Sequence, residues 1–109
     1  MRPVIVKAYG ALDPAGKEAL EAVSAILESW FIDDAAELEG SMLRISFEGD
    51  VFPDEEVVQA LTPYLCESSW GKLDVMDLEA WTLRRWSFAG GELHANTTTL
   101  DKALDSSLL

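Results

Sequence analysis

The chain has 109 residues, of which 49% are hydrophobic, 20 acidic and 8 basic, for a formal net charge of −12. That length suits one domain able to bury roughly two thirds of its unfolded surface, and the hydrophobic content separates it from acidic chains that stay disordered. The charge excludes free nucleic acid and anionic membranes as partners, because both require positive charge on the protein, and one cysteine, Cys66, excludes an intrachain disulfide or a multi-cysteine metal centre.

Residues 3–9, PVIVKAY, are β-branched and apolar and predict a buried strand ending at Gly10. The opening apolar run breaks at Lys7, too short for a signal peptide or a membrane span, so a cytoplasmic protein is expected. Asp13-Pro14 supplies a helix cap followed by proline at the first helical position. From there Leu20, Val23, Leu27, Trp30 and Phe31 recur at helical spacing with Ile26 beside them, predicting an amphipathic helix over 14–31. Ala36–Glu39 and Met42–Phe47 alternate about a Gly40-Ser41 turn and predict a hairpin with Leu43, Ile45 and Phe47 inward.

Val57, Val58, Leu61, Tyr64 and Leu65 predict a second helix over 54–65, whose last turn Pro63 must bend or tighten. Leu73 to Phe88 reads as one long strand whose alternation changes phase, through a bulge near 84–86 or cover on both faces. Gly90-Gly91 closes a hairpin onto 92–97, and Thr99 caps a short terminal helix through Leu100, Ala103 and Leu104. The order is β-α-β-β-α-β-β with a short C-terminal helix. It predicts a single α+β domain over 1–109, frayed at 106–109, with two helices on one face of an antiparallel-rich sheet in a ferredoxin-like or related sandwich.

Acidity is concentrated in the middle of the chain. From Glu28 to Glu79 fourteen carboxylates face two basic residues, Arg44 and Lys72. Within it FEGDVFPDEE, residues 47–56, holds five: Glu48, Asp50, Asp54, Glu55 and Glu56. The last three fall in the first turn of a helix, where unpaired N–H groups and the dipole favour negative charge. Val51, Phe52 and Pro53 interrupt the ligand spacing that a calcium loop requires, so no metal and no cofactor are expected. A second acidic set comprises Asp74, Asp77 and Glu79 with Glu37 and Glu39. Strand residues two apart share a face, so Glu37/Glu39 and Asp77/Glu79 are each expected side by side, as a charge ladder if the second and fourth strands are close. Such a ladder guards a sheet edge or imitates a nucleic-acid backbone.

Catalysis finds little support, because Cys66 and His94 are the only residues of their kinds and no nucleophile elbow surrounds any serine. Cys66 beside Tyr64 and Leu65 reads as a small core residue and His94 as a strand surface residue. Trp30 and Trp81 are expected in the core, and Trp70 or Trp86 exposed as an interface anchor. The pattern points to a non-enzymatic protein that occupies the basic surface of a nucleic-acid-binding protein by charge mimicry. Inhibitors of DNA defence systems, anti-CRISPR proteins among them, are the first class it suggests. The alternatives are an immunity or antitoxin-like inhibitor of a toxic nuclease and a small ligand-sensing or assembly domain that dimerises through an exposed sheet. The chain is expected to be a monomer or homodimer.

Overall fold

The computed structural model describes residues 4–105, which form an α+β fold of one open antiparallel sheet and three helices. The elements are β1 (Val6–Asp13), α1 (Lys17–Ser29), β2 (Ala36–Glu39), β3 (Met42–Gly49), α2 (Asp54–Leu61), a 3-10 turn at Thr62–Tyr64, β4 (Trp70–Asp77), β5 (Thr82–Ala89), β6 (Glu92–Thr99) and α3 (Leu100–Asp105). Six strands lie in the order β2-β3-β1-β4-β5-β6, and every neighbouring pair is antiparallel. Pro3, in the expected first strand, and the expected frayed end at 106–109 lie outside the described residues.

Directly opposed strand residues share a face, and the register therefore defines which side chains meet the helices. Leu12 faces Leu43, Gly10 lies between Ile45 and Leu73, and Ala8 lies between Phe47 and Val75. Against this face α1 sets Ala19, Val23 and Leu27 at four-residue spacing, and α2 sets Val57, Val58 and Leu61. All join one core cluster, so both helices cover the same side of the sheet. Leu12, Leu43, Leu61, Leu73, Val23, Val57 and Val58 are almost wholly buried there. Each such side chain contributes about 1.5–3 kcal/mol relative to exposure. The opposite face carries Tyr9, Arg44, Ser46, Lys72 and His94, all exposed.

Several boundaries differ from expectation for identifiable reasons. β1 runs through Gly10 to Asp13, because a Cβ at Gly10 would lie 2.6 Å from the Lys72 carbonyl oxygen. Glycine there admits the close approach of β4 and does not end the strand. Asp13 caps no helix: its Oδ1 accepts the Ser41 hydroxyl at 2.7 Å, and Gly16 precedes the first turn of α1. The stretch 73–88 is two strands, not one. Asp77 Oδ1 accepts the N–H groups of Glu79 at 3.0 Å and Ala80 at 2.9 Å, and Trp81 adopts φ 61°, which closes a turn over 78–81. That turn is the origin of the phase change, since core-facing residues are odd in β4 (Leu73, Val75) and even in β5 (Trp86, Phe88). Pro63 sits in the 3-10 turn that succeeds α2. The Thr99 hydroxyl accepts the Lys102 N–H at 3.1 Å and caps α3. Among the described residues no helix is long and apolar enough to cross a membrane.

Candidate functional site

Val6 at the start of β1 faces Gly49 at the end of β3 and Asp77 at the end of β4, so three strands terminate at one end of the sheet. The C-terminus of α1 and the N-terminus of α2 arrive at the same end, and two clefts form there. One, of about 420 Å³, is lined by Trp30, Phe31, Asp33, Glu48, Asp50 and Val51 among others. The second, of about 390 Å³, is bordered by Asp50, Asp54, Asp77, Glu79 and Arg84. Asp50 and Val51 belong to both walls.

The end of α1 explains why this site is apolar as well as acidic. The Ile32 N–H donates to the Leu27 carbonyl at 2.9 Å and the Phe31 N–H to the Glu28 carbonyl at 3.0 Å. This pair of bonds is a Schellman motif, with Ile32 and Leu27 both buried as the accompanying apolar contact. The motif requires a left-handed residue after the cap, normally glycine, and here Phe31 fills that place at φ 59°. For a residue with a Cβ that conformation costs roughly 1–2 kcal/mol. Burial does not offset it, because Phe31 is 95% exposed. Glu28 adds a carboxylate to the last turn of α1, at the negative pole of the helix, where cations are favoured and none is present.

Neighbouring carboxylates are partly engaged within the chain. Glu56 accepts the Trp30 indole N–H at 2.9 Å and holds that ring 40% exposed. Asp54 accepts the Trp86 indole N–H at 2.9 Å and lies 3.3 Å from Arg84, which also reaches Glu55 at 3.3 Å and sits 5.9 Å over the Trp86 ring. Glu48 accepts the Tyr9 hydroxyl at 2.5 Å, a bond that raises the pKa of Tyr9. Trp81, at the same end, is 44% exposed and donates to Asp101 at 2.8 Å. Trp30 and Trp81 are therefore surface aromatics held by carboxylates, not core residues.

The other expected positions lie elsewhere. Glu37 and Glu39 are on β2, separated from Asp74 on β4 by β3 and β1, about 14 Å at ordinary strand spacing. No ladder joins them, and Glu39 pairs with Arg44 at 3.2 Å. Nor do Asp77 and Glu79 stand side by side on a strand, since Glu79 lies in the turn that Asp77 caps. Asp74 faces a groove of about 580 Å³ on the open sheet face, with Tyr9, Trp70, Lys72, Arg85 and Ser87. Its two oxygens accept from Arg85 at 2.7 and 2.9 Å, which raises the Arg85 pKa. Trp70 is 56% exposed there, while Trp86 is half-buried.

Cys66 is an exposed thiol rather than a core residue. Hydrogen bonds with the hydroxyls of Ser68 at 3.2 Å and Ser69 at 3.4 Å lower its pKa, that from Ser68 most. Loss of a bond favouring the thiolate raises a thiol pKa. Ser68→Ala is therefore expected to move the pH midpoint of iodoacetamide alkylation upward, and an unmoved midpoint would contradict this assignment. The His94 ring lies 3.7 Å from Glu92, two residues away along β6. Among the described residues no group of three or more His, Cys, Asp or Glu side chains is placed to hold a metal ion.

Helical spacing alone puts Phe31 in the apolar stripe of α1; the signal against it is the absence of a glycine where that helix has to end. Comparison with protein-family models, with curated proteins and with solved structures gave no match.

Proposed function

We propose that this chain is a non-catalytic binding protein that occupies a basic surface of a nucleic-acid-binding partner, in the manner of inhibitors that block DNA defence systems. The observation that carries the reading is Phe31, a fully displayed aromatic held in a conformation unfavourable to it, with Glu28, Asp33 and Asp34 exposed on the same helix end and the loop beyond it. Local choices that oppose stability, with nothing in the fold to offset them, collect at functional sites. An exposed aromatic ringed by carboxylates fits a partner pocket bordered by lysine or arginine, the aromatic supplying affinity and the charges orientation and speed of encounter. The order β2-β3-β1-β4 with two intervening helices supports a ferredoxin-like sandwich, extended here by the β5–β6 hairpin.

The test is affinity capture from host lysate at low and physiological salt, beside a variant with Glu28→Gln, Asp33→Asn, Asp34→Asn and Glu79→Gln. All four residues are exposed, and none accepts a side-chain bond that anchors the fold. A basic nucleic-acid-binding protein should be retained by the parent, released by salt and lost from the variant. Equal retention by both forms, or none, removes the reading.

A further inference from the structure

The two edges of the sheet are built differently. β2 has four residues, and its Glu37 and Glu39 are exposed, a short and charged edge of the kind that resists pairing. β6 has eight, ELHANTTT, with no lysine or proline. Its register with β5 runs unbroken from Glu92 to Thr99, so no bulge twists it away. Among the described residues no strand lies on its outer side, and no backbone bond from a turn or loop reaches residues 92–99. Three consecutive threonines favour extended backbone, so the edge is ordered for pairing.

Which groups point outward follows from the hairpin. Gly90 and Gly91 both have positive φ, 59° and 85°, and form a two-residue loop of the type that makes Ala89 and Glu92 a hydrogen-bonded pair. Alternation from that pair turns the N–H and C=O groups of Leu93, Ala95 and Thr97, and the N–H of Thr99, away from β5. An antiparallel copy of the same strand can meet these groups about a two-fold axis through Asn96. Ala95 then faces Thr97 of the second copy, Leu93 faces Thr99, His94 faces Thr98, and the two Asn96 amides face each other. No like charges are opposed.

Charge also selects a second copy. The hairpin over 82–99 carries Arg84, Arg85 and His94 against one carboxylate, Glu92, whereas the whole chain has a net charge of −12. Edge-to-edge contact through β6 thus brings together a region that adds nothing to the general repulsion. We infer that the outer edge of β6 pairs with the same edge of a second copy of this chain, joining two sheets into one. The reasoning is independent of the acidic end.

Sedimentation and light scattering across protein concentrations from about 1 µM to about 1 mM, the range of modest affinities, test this directly. The mass of 12.0 kDa should double as the parent is concentrated. Thr97→Pro removes an outward N–H while sparing the β5 ladder, a position where an edge strand tolerates proline. Asn96→Asp is isosteric, keeps Arg85 opposite it within the chain, and sets two carboxylates against each other at the axis. Both should remain at the monomer mass with the parent's circular dichroism. A parent that stays monomeric throughout overturns the proposal, as does either variant that keeps the parent's spectrum and still dimerises.

Discussion

Phe31→Gly is expected to make the protein more stable and to weaken capture of the basic partner proposed for it. Glycine adopts the left-handed position after a helix cap without the steric cost that a Cβ incurs, so roughly 1 kcal/mol of stability should be gained. For a domain near this size that raises Tm by about 4–8 °C. No packing is lost in exchange, because Phe31 is 95% exposed. Binding should move the other way. An aromatic anchor at an interface centre is worth about 2 kcal/mol or more, close to 30-fold in Kd. Differential scanning calorimetry and titration of the captured partner give the two signs separately. Opposite signs are the mark of a residue kept for binding. A less stable variant would show that the ring supports the fold, and unchanged affinity would move the contact surface away from α1.

The second large effect concerns Gly71, where β4 pairs with β1 opposite Leu12. Its φ is 150°, and a Cβ there would lie 2.0 Å from the Ala11 carbonyl oxygen. That oxygen is backbone in the middle of a paired strand and cannot rotate away, so Gly71→Ala must shift β1 against β4 or unpair them. Strain and lost strand pairing together should cost about 2–4 kcal/mol. Urea titration followed by tryptophan fluorescence measures it, and a midpoint within error of the parent's would show that the strands separate at little cost. Trp70 adjoins the site, so loss of pairing should also be visible in the emission of that exposed ring.

Much of the fold was legible because periodicity and turn chemistry agreed. Leu43 and Ile45 alternate inward in β3 as their spacing required, Gly40 and Gly90-Gly91 mark turns, and Val57, Val58 and Leu61 define the buried side of α2. The stretch after Leu73 reads as one strand because the turn at 78–81 contains no glycine or proline. Its signal was Asp77, whose short side chain substitutes for a backbone acceptor, and single aspartates are too common to mark a turn unaided. Gly10 looks like a stop in the sequence, although in the folded chain it is a point of contact between strands, which no local pattern encodes.

The acidic residues were legible as a composition and not as a surface. Asp50, Asp54, Asp77 and Glu79 meet around one cleft, although 27 positions separate Asp50 from Asp77. The return of β4 beside β1 brings them together, and that depends on strand order. Glu37 and Glu39 had the same apparent standing in the sequence, yet β2 carries them to the far margin of the sheet. Exposure of Trp30 and Phe31 was hidden for another reason: helical spacing identifies the buried stripe but does not tell where the helix stops.

Unequal margins of the sheet limit how far the chain can polymerise through its backbone. An open-ended ladder needs each molecule to offer two receptive sides, so that every addition exposes a fresh one. Here β2 is short and guarded by Glu37 and Glu39, while β6 is long and bare. Pairing through the bare side consumes it in both molecules and leaves only guarded margins outside, which makes the assembly isologous and closed. Under the proposed pairing, a threonine-rich strand that would otherwise invite fibril growth is confined to a finite complex.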